Sequence, residues 1–190
     1  MEKQRGIQYF PIGLFASVMG FSGVTIATKN LEKLYDWNTI TSTVLMTLTA
    51  LIFLMNLGIL LYRWIRYFEE VKADFNHPMK MNFFGAVSIS LLLLAVIFLD
   101  VSKNISFVLW LLGAVLQLTL TLVIMSRLIF TFEFNIGQFN PAWFIPIVGN
   151  IVVPIAGSEH VIADINWFFF STGLVFSIVY TTIFFNRAYF

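Results

Sequence analysis

The residues best suited to chemistry are two histidines and a pair of adjacent carboxylates. His77 follows the second of several long apolar stretches, and His160 precedes the last one. On the topology derived below they lie on opposite sides of a membrane, so they cannot ligate one metal ion or one haem. Glu69 and Glu70 are neighbours in sequence, and successive residues of a helix point apart. With no phosphate-binding glycine loop and no nucleophile elbow in the sequence, we predict no enzyme and no cofactor.

A different chemistry, the passage of a solute between helices, is indicated by three groups of small and polar residues. Each group follows a proline (Pro11, Pro78 or Pro141) and has i, i+3/i+4, i+7 spacing, which puts its members on one helical face. The predicted pore-lining residues are Gly13, Ser17 and Gly20; Gly85, Ser88 and Leu92; and Pro146, Gly149, Asn150 and Val153. Hydroxyls, an amide and proline-freed backbone groups would make this passage neutral, and basic mouths or positive helix ends would select anions.

The alternative for each group is a seam for helix packing, because small residues let helices approach closely in all membrane bundles. For any single residue this alternative is the more favoured one. The recurrence of the pattern on three helices supports the set of pore residues more than it supports each member.

The elements that would position these residues are membrane-spanning helices. The chain of 190 residues is 59% hydrophobic and only 11% charged. Soluble domains carry about 25% charged residues. The charges leave six uncharged stretches of 19 to 26 residues, and a helix needs about 20 apolar residues to cross a bilayer. Only helices satisfy their own backbone in lipid at this length. We predict an all-α integral membrane domain over residues 1–190, with helices at about 8–28, 39–66, 81–99, 104–132, 141–157 and 165–187.

The six predicted helices alternate between two kinds. The even-numbered ones are rich in Leu, Ile, Val, Phe and Thr and suit an outer position facing lipid. The odd-numbered ones carry the prolines and small residues and suit an inner, kinked position. The sequence therefore predicts three inner/outer hairpins, repeated about every 60 residues.

Charge placement predicts the orientation and excludes some functions. Eight Lys and Arg residues fall in the N-terminal, C-terminal and even-to-odd segments and three in the other loops, which puts both termini in the cytoplasm. No ionisable residue lies in the middle of a span, which disfavours a proton-coupled or cation-coupled pump. The net charge of +1 gives no basis for nucleic-acid binding.

Three motifs resemble the tellurite-resistance/dicarboxylate transporter family, which includes the slow-type anion channels of plant guard cells. They are Phe10–Phe15 at the first helix, Tyr67–Phe75 with His77-Pro78 before the third, and Asn140–Pro146 with Val148–Asn150 at the fifth. The Glu-Glu-Val followed by His-Pro is the most specific piece. The resemblance covers essentially the whole chain.

The resemblance implies a ten-helix channel of five hairpins around a pseudo-fivefold axis, assembled as a homotrimer in an inner membrane. It implies passage of small anions such as chloride, nitrate, sulfite, tellurite or dicarboxylates along proline-kinked odd helices, without an enzymatic step. The chain has three of these hairpins, so we expect an N-terminal part of a longer channel. The family's pore-plugging phenylalanine lies on the ninth helix, and no Phe in this sequence inherits its role.

Two alternatives stay open from the sequence. One is a membrane scaffold or assembly subunit that does not transport, or a fragment without function. The other is a membrane-embedded redox enzyme, which would need paired intramembrane histidines that the sequence lacks.

Overall fold

The computed structural model describes residues 6–130 and 141–189, and all the regular structure in these residues is helical. Seven α-helices follow in chain order: α1 Phe15–Leu34, α2 Ile40–Arg66, α3 Phe68–Asn76, α4 Gly85–Phe98, α5 Lys103–Phe130, α6 Ile145–Gly157 and α7 Ala163–Tyr189. Short 3-10 helices cover Ile7–Tyr9, Ile12–Leu14, Lys80–Phe84 and Pro141–Phe144.

Five helical segments in the described residues are long and apolar enough to span a bilayer: Ile12–Leu34, Ile40–Arg66, Lys80–Phe98, Lys103–Arg127 and Ala163–Asn186. The predicted fifth span is the apolar but shorter Pro141–Gly157. At about 1.5 Å per residue this segment reaches about 25 Å, less than the roughly 30 Å of a hydrocarbon core. The protein is therefore an all-helical, multi-pass membrane protein.

The first spanning helix differs from the predicted range 8–28. It begins with the 3-10 helix after Pro11 and continues through Lys29 and Glu32 to Leu34. Lys29 and Glu32 do not end the helix because both charged side chains have hydrogen-bond partners. The Lys29 ammonium donates to the Ile97 carbonyl at 2.7 Å, and the Glu32 carboxylate accepts from the Ser42 N–H at 3.0 Å. The predicted end of the fourth helix, residues 131–132, lies outside the described residues.

All three helices that were predicted to be inner begin in the same way. A proline stands at or before a 3-10 helix, which then becomes α1, α4 or α6. Proline fits such a start because its missing N–H would have no helical partner there. The three 3-10 helices also contact one another in order, Ile12–Leu14 with Lys80–Phe84 and Lys80–Phe84 with Pro141–Phe144.

Burial separates α4 from the other four long spans. In the most apolar window of each span, 67% of residues are buried for α4, against 28% for α1, 33% for α5 and 17% for both α2 and α7. Helix α4 contacts α1, α5 and α6, and each of α2, α5 and α7 packs on the helix that precedes it in its hairpin. The core therefore lies along α4. One apolar cluster sits between α4, α1 and α2, and another between α4, α5 and α6.

Candidate functional site

The predicted pore residues of the third span are buried in contacts between helices. Gly85 faces α6, where an added Cβ would lie 3.3 Å from the Pro146 Cα. The Ser88 hydroxyl is fully buried and donates to the Gln117 side chain of α5 at 2.6 Å. Leu92 lies against Gly113 of α5, where a Cβ would come within 2.9 Å of its Cγ.

The predicted residues of the fifth span are buried in the same region. A Cβ on Gly149 would overlap the side-chain amide of Gln117, so only glycine admits that amide. Asn150 Nδ2 donates to Thr121 Oγ1 at 3.0 Å and to the Pro146 carbonyl at 3.1 Å. Val153 lies in the cluster between α4, α5 and α6, and its carbonyl accepts from the Trp110 indole at 2.9 Å.

The two prolines of α6 differ in effect. Pro146 is at the second position of the helix, where no backbone donor is needed, whereas Pro154 is inside it. Pro154 cannot donate to the carbonyl of Asn150, four residues earlier, so one internal bond is missing. The Asn150 side-chain oxygen is also buried without a hydrogen-bond partner among the described residues.

The predicted residues of the first span are placed differently. Gly13 is half-buried against Phe83, and Ser17 and Gly20 are exposed. The Ser17 hydroxyl donates to the Leu14 carbonyl of its own helix at 2.6 Å, and a Cβ on Gly20 would meet nothing within 4 Å. This face of α1 is open in the described structure.

The structure thus brings seven of the ten predicted residues together along α4 and α6, and leaves the three on α1 apart from them. It also adds two residues that the sequence reasoning missed. Gln117 and Thr121 of α5 are buried. Gln117 bonds to the groups on both α4 and α6, and Thr121 bonds to the group on α6. The helix that carries them was interpreted as lipid-facing because it is rich in Leu and Thr. The sequence feature that could have identified them is the spacing of an amide and a hydroxyl four residues apart, in a helix made mostly of apolar residues.

One end of the bundle carries a buried ion pair beside a cavity of about 470 Å³. Arg63 at the end of α2 is 1% exposed; its guanidinium bonds to Asp74 of α3 and to the Phe10 carbonyl, each at 2.7 Å. Lys80 also binds Asp74 at 2.7 Å. Burial raises the pKa of the Asp74 carboxyl. Hydrogen bonds from Arg63 and Lys80 and the attraction of their charges outweigh that burial and hold the pKa below its ordinary value of 3.8.

The opposite end of the first two spans has a cavity of about 580 Å³ lined by Lys29, Lys33, Glu32 and Asp100 among others. Lys29 and Lys33 lie 3.5 Å and 3.7 Å from the Asp100 carboxylate. Both ends therefore hold paired charges of both signs. Each of Arg63, Lys80, Lys29 and Lys33 is close to a carboxylate.

The two histidines have separate structural partners. His77 Nδ1 accepts from the Met79 N–H at 3.2 Å, and His160 Nε2 lies 2.8 Å from the Ser106 hydroxyl. That hydroxyl donates its single hydrogen to the Ala95 carbonyl, so His160 Nε2 carries the proton and donates to Ser106. Within residues 6–130 and 141–189 no group of three metal-binding side chains occurs.

Comparison with known proteins agrees with the motifs. The family model described as voltage-dependent anion channel (SLAC1) matches residues 9–190. An uncharacterized transporter of Methanocaldococcus jannaschii is 27% identical over 82% of this chain and 46% of its own length. The S-type anion channel SLAH2 of Arabidopsis thaliana is 28% identical over 94% of the chain and 36% of its own length.

A third relative is a tellurite resistance protein TehA homolog of Haemophilus influenzae, 24% identical over 91% of the chain and 53% of its own length. The chain thus spans about half or less of the length of these relatives. The predicted resemblance to the tellurite-resistance and slow-type anion channel family is confirmed.

Proposed function

We propose, from the premise that this chain belongs to the voltage-dependent anion channel (SLAC1) family, that it moves small anions across a cell membrane by channel or transporter action without an enzymatic step. The observation that carries the proposal is the family match over residues 9–190. Chloride, nitrate, sulfite, tellurite and dicarboxylates are the anions to test. The bonded polar groups that α4, α5 and α6 hold between them in the described residues are hydroxyls, amides and carbonyls, so the wall that we propose carries no buried charge there.

The architecture that we propose has six spanning helices in three inner/outer hairpins, with α1, α4 and α6 as the inner helices. In a complete channel they would form part of a ten-helix, pseudo-fivefold ring, which would assemble as a homotrimer in an inner membrane. The shared proline and 3-10 start of these helices supports the repeat. Their side-by-side contacts, α1 with α4 and α4 with α6, support a common wall.

For the passage itself we propose a division among the ten predicted residues. Ser17 and Gly20, which are exposed on α1, and Gly13, which is half-buried just before it, line the passage. The seven on α4 and α6 hold the helices of the wall together, because they are buried against Gln117, Thr121 and each other. We further propose that both termini are cytoplasmic, which places α3 and its ion pair with Arg63 at the cytoplasmic mouth.

Anion flux from liposomes that contain the purified protein tests the proposal. We expect flux of chloride or nitrate to exceed cation flux, and Gly20→Leu to reduce the anion flux because the new side chain projects from the open face of α1. Gly58→Leu is the matched control, since Gly58 lies on α2 and a Cβ there also meets nothing within 4 Å. Preference for cations would reject the anion assignment.

A second function, a membrane scaffold that does not transport, is favoured by one observation. Seven of the ten predicted residues serve contacts between helices, as residues of a packing seam would. A folded protein that gives no flux above protein-free liposomes would support this function in place of transport.

A further inference from the structure

Gln117 is the residue of α5 that bonds to both neighbouring inner helices. Its side chain is fully buried, its Oε1 accepts from Ser88 of α4 at 2.6 Å, and its Nε2 donates to the Pro146 carbonyl of α6 at 2.6 Å. The same Nε2 donates to Thr121 Oγ1 at 3.1 Å. Both ends of the amide are used, so its orientation is fixed by its partners.

Thr121 links Gln117, Asn150 and the Pro146 carbonyl. Its hydroxyl has a single hydrogen. It donates that hydrogen to the Pro146 carbonyl at 2.7 Å. Its oxygen therefore accepts from Gln117 and from Asn150. Because Gln117, Thr121 and Asn150 are buried, each lost bond leaves a buried polar group without its partner.

Space around the amide is as restricted as its bonding. Gly149 leaves the groove on α6 into which the Gln117 amide fits, and a methyl group at that position would overlap it. Gly85 permits α4 to approach α6 closely, since a Cβ there would be 3.3 Å from Pro146. The contact between α4 and α6 thus includes, beside their direct approach at Gly85, a bridge from one side chain that belongs to neither helix.

We infer that Gln117 is a positioning residue that sets the separation of the inner helices α4 and α6, and thereby the width of the anion passage. The inference rests on the proposed function for its second part, the passage, and on the described contacts for its first part, the separation. Gln117 does not line the passage; it acts through α4 and α6, which belong to the proposed wall of that passage.

The first test measures the helix separation itself. The sequence contains no cysteine, so cysteines at Val101 after α4 and Ser158 after α6 can carry two spin labels without background. We expect Gln117→Met, which keeps the length of the side chain but none of its hydrogen bonds, to shift or broaden the distance between the labels. Gly149→Ala should do so as well, by displacing the amide.

The second test measures the width of the passage by the permeability of a large anion, such as gluconate, relative to chloride. We expect Gln117→Met to change this ratio at least about threefold, the factor that corresponds to one average interhelical hydrogen bond in a membrane. Thr121→Val should change it in the same direction. The matched control is Thr119→Val, because Thr119 is exposed on the same helix and bonds only to the Val115 carbonyl among the described residues.

A double variant distinguishes a positioning role of Gln117 from a general loss of folding. In Gly149→Ala the added methyl overlaps the Gln117 amide. In the double variant Gly149→Ala/Gln117→Ala that amide is gone, so the effects on the ratio should not add. Thr121→Val serves as the second variant if Gln117→Met does not fold.

The outcomes distinguish the two proposals. If the wild type shows no anion flux, the proposed function fails, while a shifted label distance would still establish Gln117 as the residue that sets the helix separation. If folded Gln117→Met and Thr121→Val leave the label distance unchanged, the inference is overturned whether or not the wild type conducts. A shifted distance with an unchanged permeability ratio would overturn the link to passage width.

Discussion

At the scale of single residues, Arg63 is a charged side chain that is almost completely buried. Its side chain is 2% exposed, and its Nε has no hydrogen-bond partner among the described residues. The Asp74 carboxylate balances its charge, and the Phe10 carbonyl accepts a further hydrogen bond. Removing one partner of such a buried pair leaves the other charge uncompensated, which costs far more than losing a surface pair.

We therefore predict that Asp74→Asn lowers the free energy of unfolding by about 3 kcal/mol or more, the range seen for broken buried ion pairs. The control is Glu69→Gln, whose carboxylate is 83% exposed and lies 3.9 Å from Lys72. Loss of such an exposed pair should change stability by less than about 1 kcal/mol. Unfolding of the two variants in detergent would check this. Equal, small effects would show that Arg63 does not depend on Asp74.

The pH dependence of the wild type follows from the lowered pKa of Asp74. The ordinary pKa of this carboxyl, and thus its value in the unfolded protein, is 3.8. A carboxyl whose pKa is lower in the folded than in the unfolded protein stabilises the fold fully above its unfolded pKa, and this contribution is lost as the pH falls through the folded pKa. We expect the difference in unfolding midpoint between wild type and Asp74→Asn to be constant at neutral pH and to shrink below about pH 4.

At the scale of elements, the contact between α4 and α5 depends on the absence of a side chain. Gly113 of α5 faces Leu91 and Leu92 of α4, and a Cβ there would meet the Leu91 Cβ at 3.2 Å as well as the Leu92 Cγ at 2.9 Å. The Leu91 Cβ is bonded to the backbone and cannot rotate away. One of the two helices would have to shift.

We predict that Gly113→Ala destabilises the protein by about 1–3 kcal/mol, as overpacking of a close contact does. Gly58→Ala on α2 is the matched control, because a Cβ there has open space. Alanine favours helix over glycine by about 1 kcal/mol. Thermal unfolding should therefore move the two midpoints in opposite directions. A stabilising effect of Gly113→Ala would show that α4 and α5 are farther apart than described.

The positions of the spanning helices are the feature of the fold that was most readily predicted from the sequence. Each of the five described segments that are long and apolar enough to span a bilayer overlaps a run without charge, because charges in the middle of a span are unfavourable in lipid. The ends were predicted less well: the charge of Lys29 suggested an end at 28, but a carbonyl of α4 and Asp100 accept that charge and α1 continues. The spacing of Gly85, Ser88 and Leu92 puts them on one helical face, but spacing within one helix does not identify the helix opposite. Gln117 was missed for that reason.

At the scale of the whole molecule, the proposed orientation rests on the distribution of Lys and Arg, and it can be measured. We predict that a cysteine at Glu69, exposed on α3, reacts with a membrane-impermeant maleimide only after cells are permeabilised. A cysteine at Val101, which is 57% exposed beyond the other end of α4, should react in intact cells. Labelling of Glu69→Cys from outside would reverse the proposed topology.

The arrangement of the hairpins shows which features of the fold could not be predicted from the sequence alone. Proline and small residues distinguished the odd from the even helices, and among the five long spans α4 has the largest buried share while α1 has less than α5. The open face of α1 was not predicted, because exposure depends on which other helices are beside it. A stripe of small residues looks the same in a sequence whether it faces a neighbour or a passage.

The contacts of Arg63 have a consequence for how the chain is made. One of its partners, the carbonyl of Phe10, is synthesised 53 residues before it, and the other, Asp74, only 11 residues after it. All three groups leave the ribosome before α4 does. We therefore expect Arg63, Asp74 and the Phe10 carbonyl to form their contacts during translation. Each later hairpin would then be inserted beside a first hairpin that is already folded.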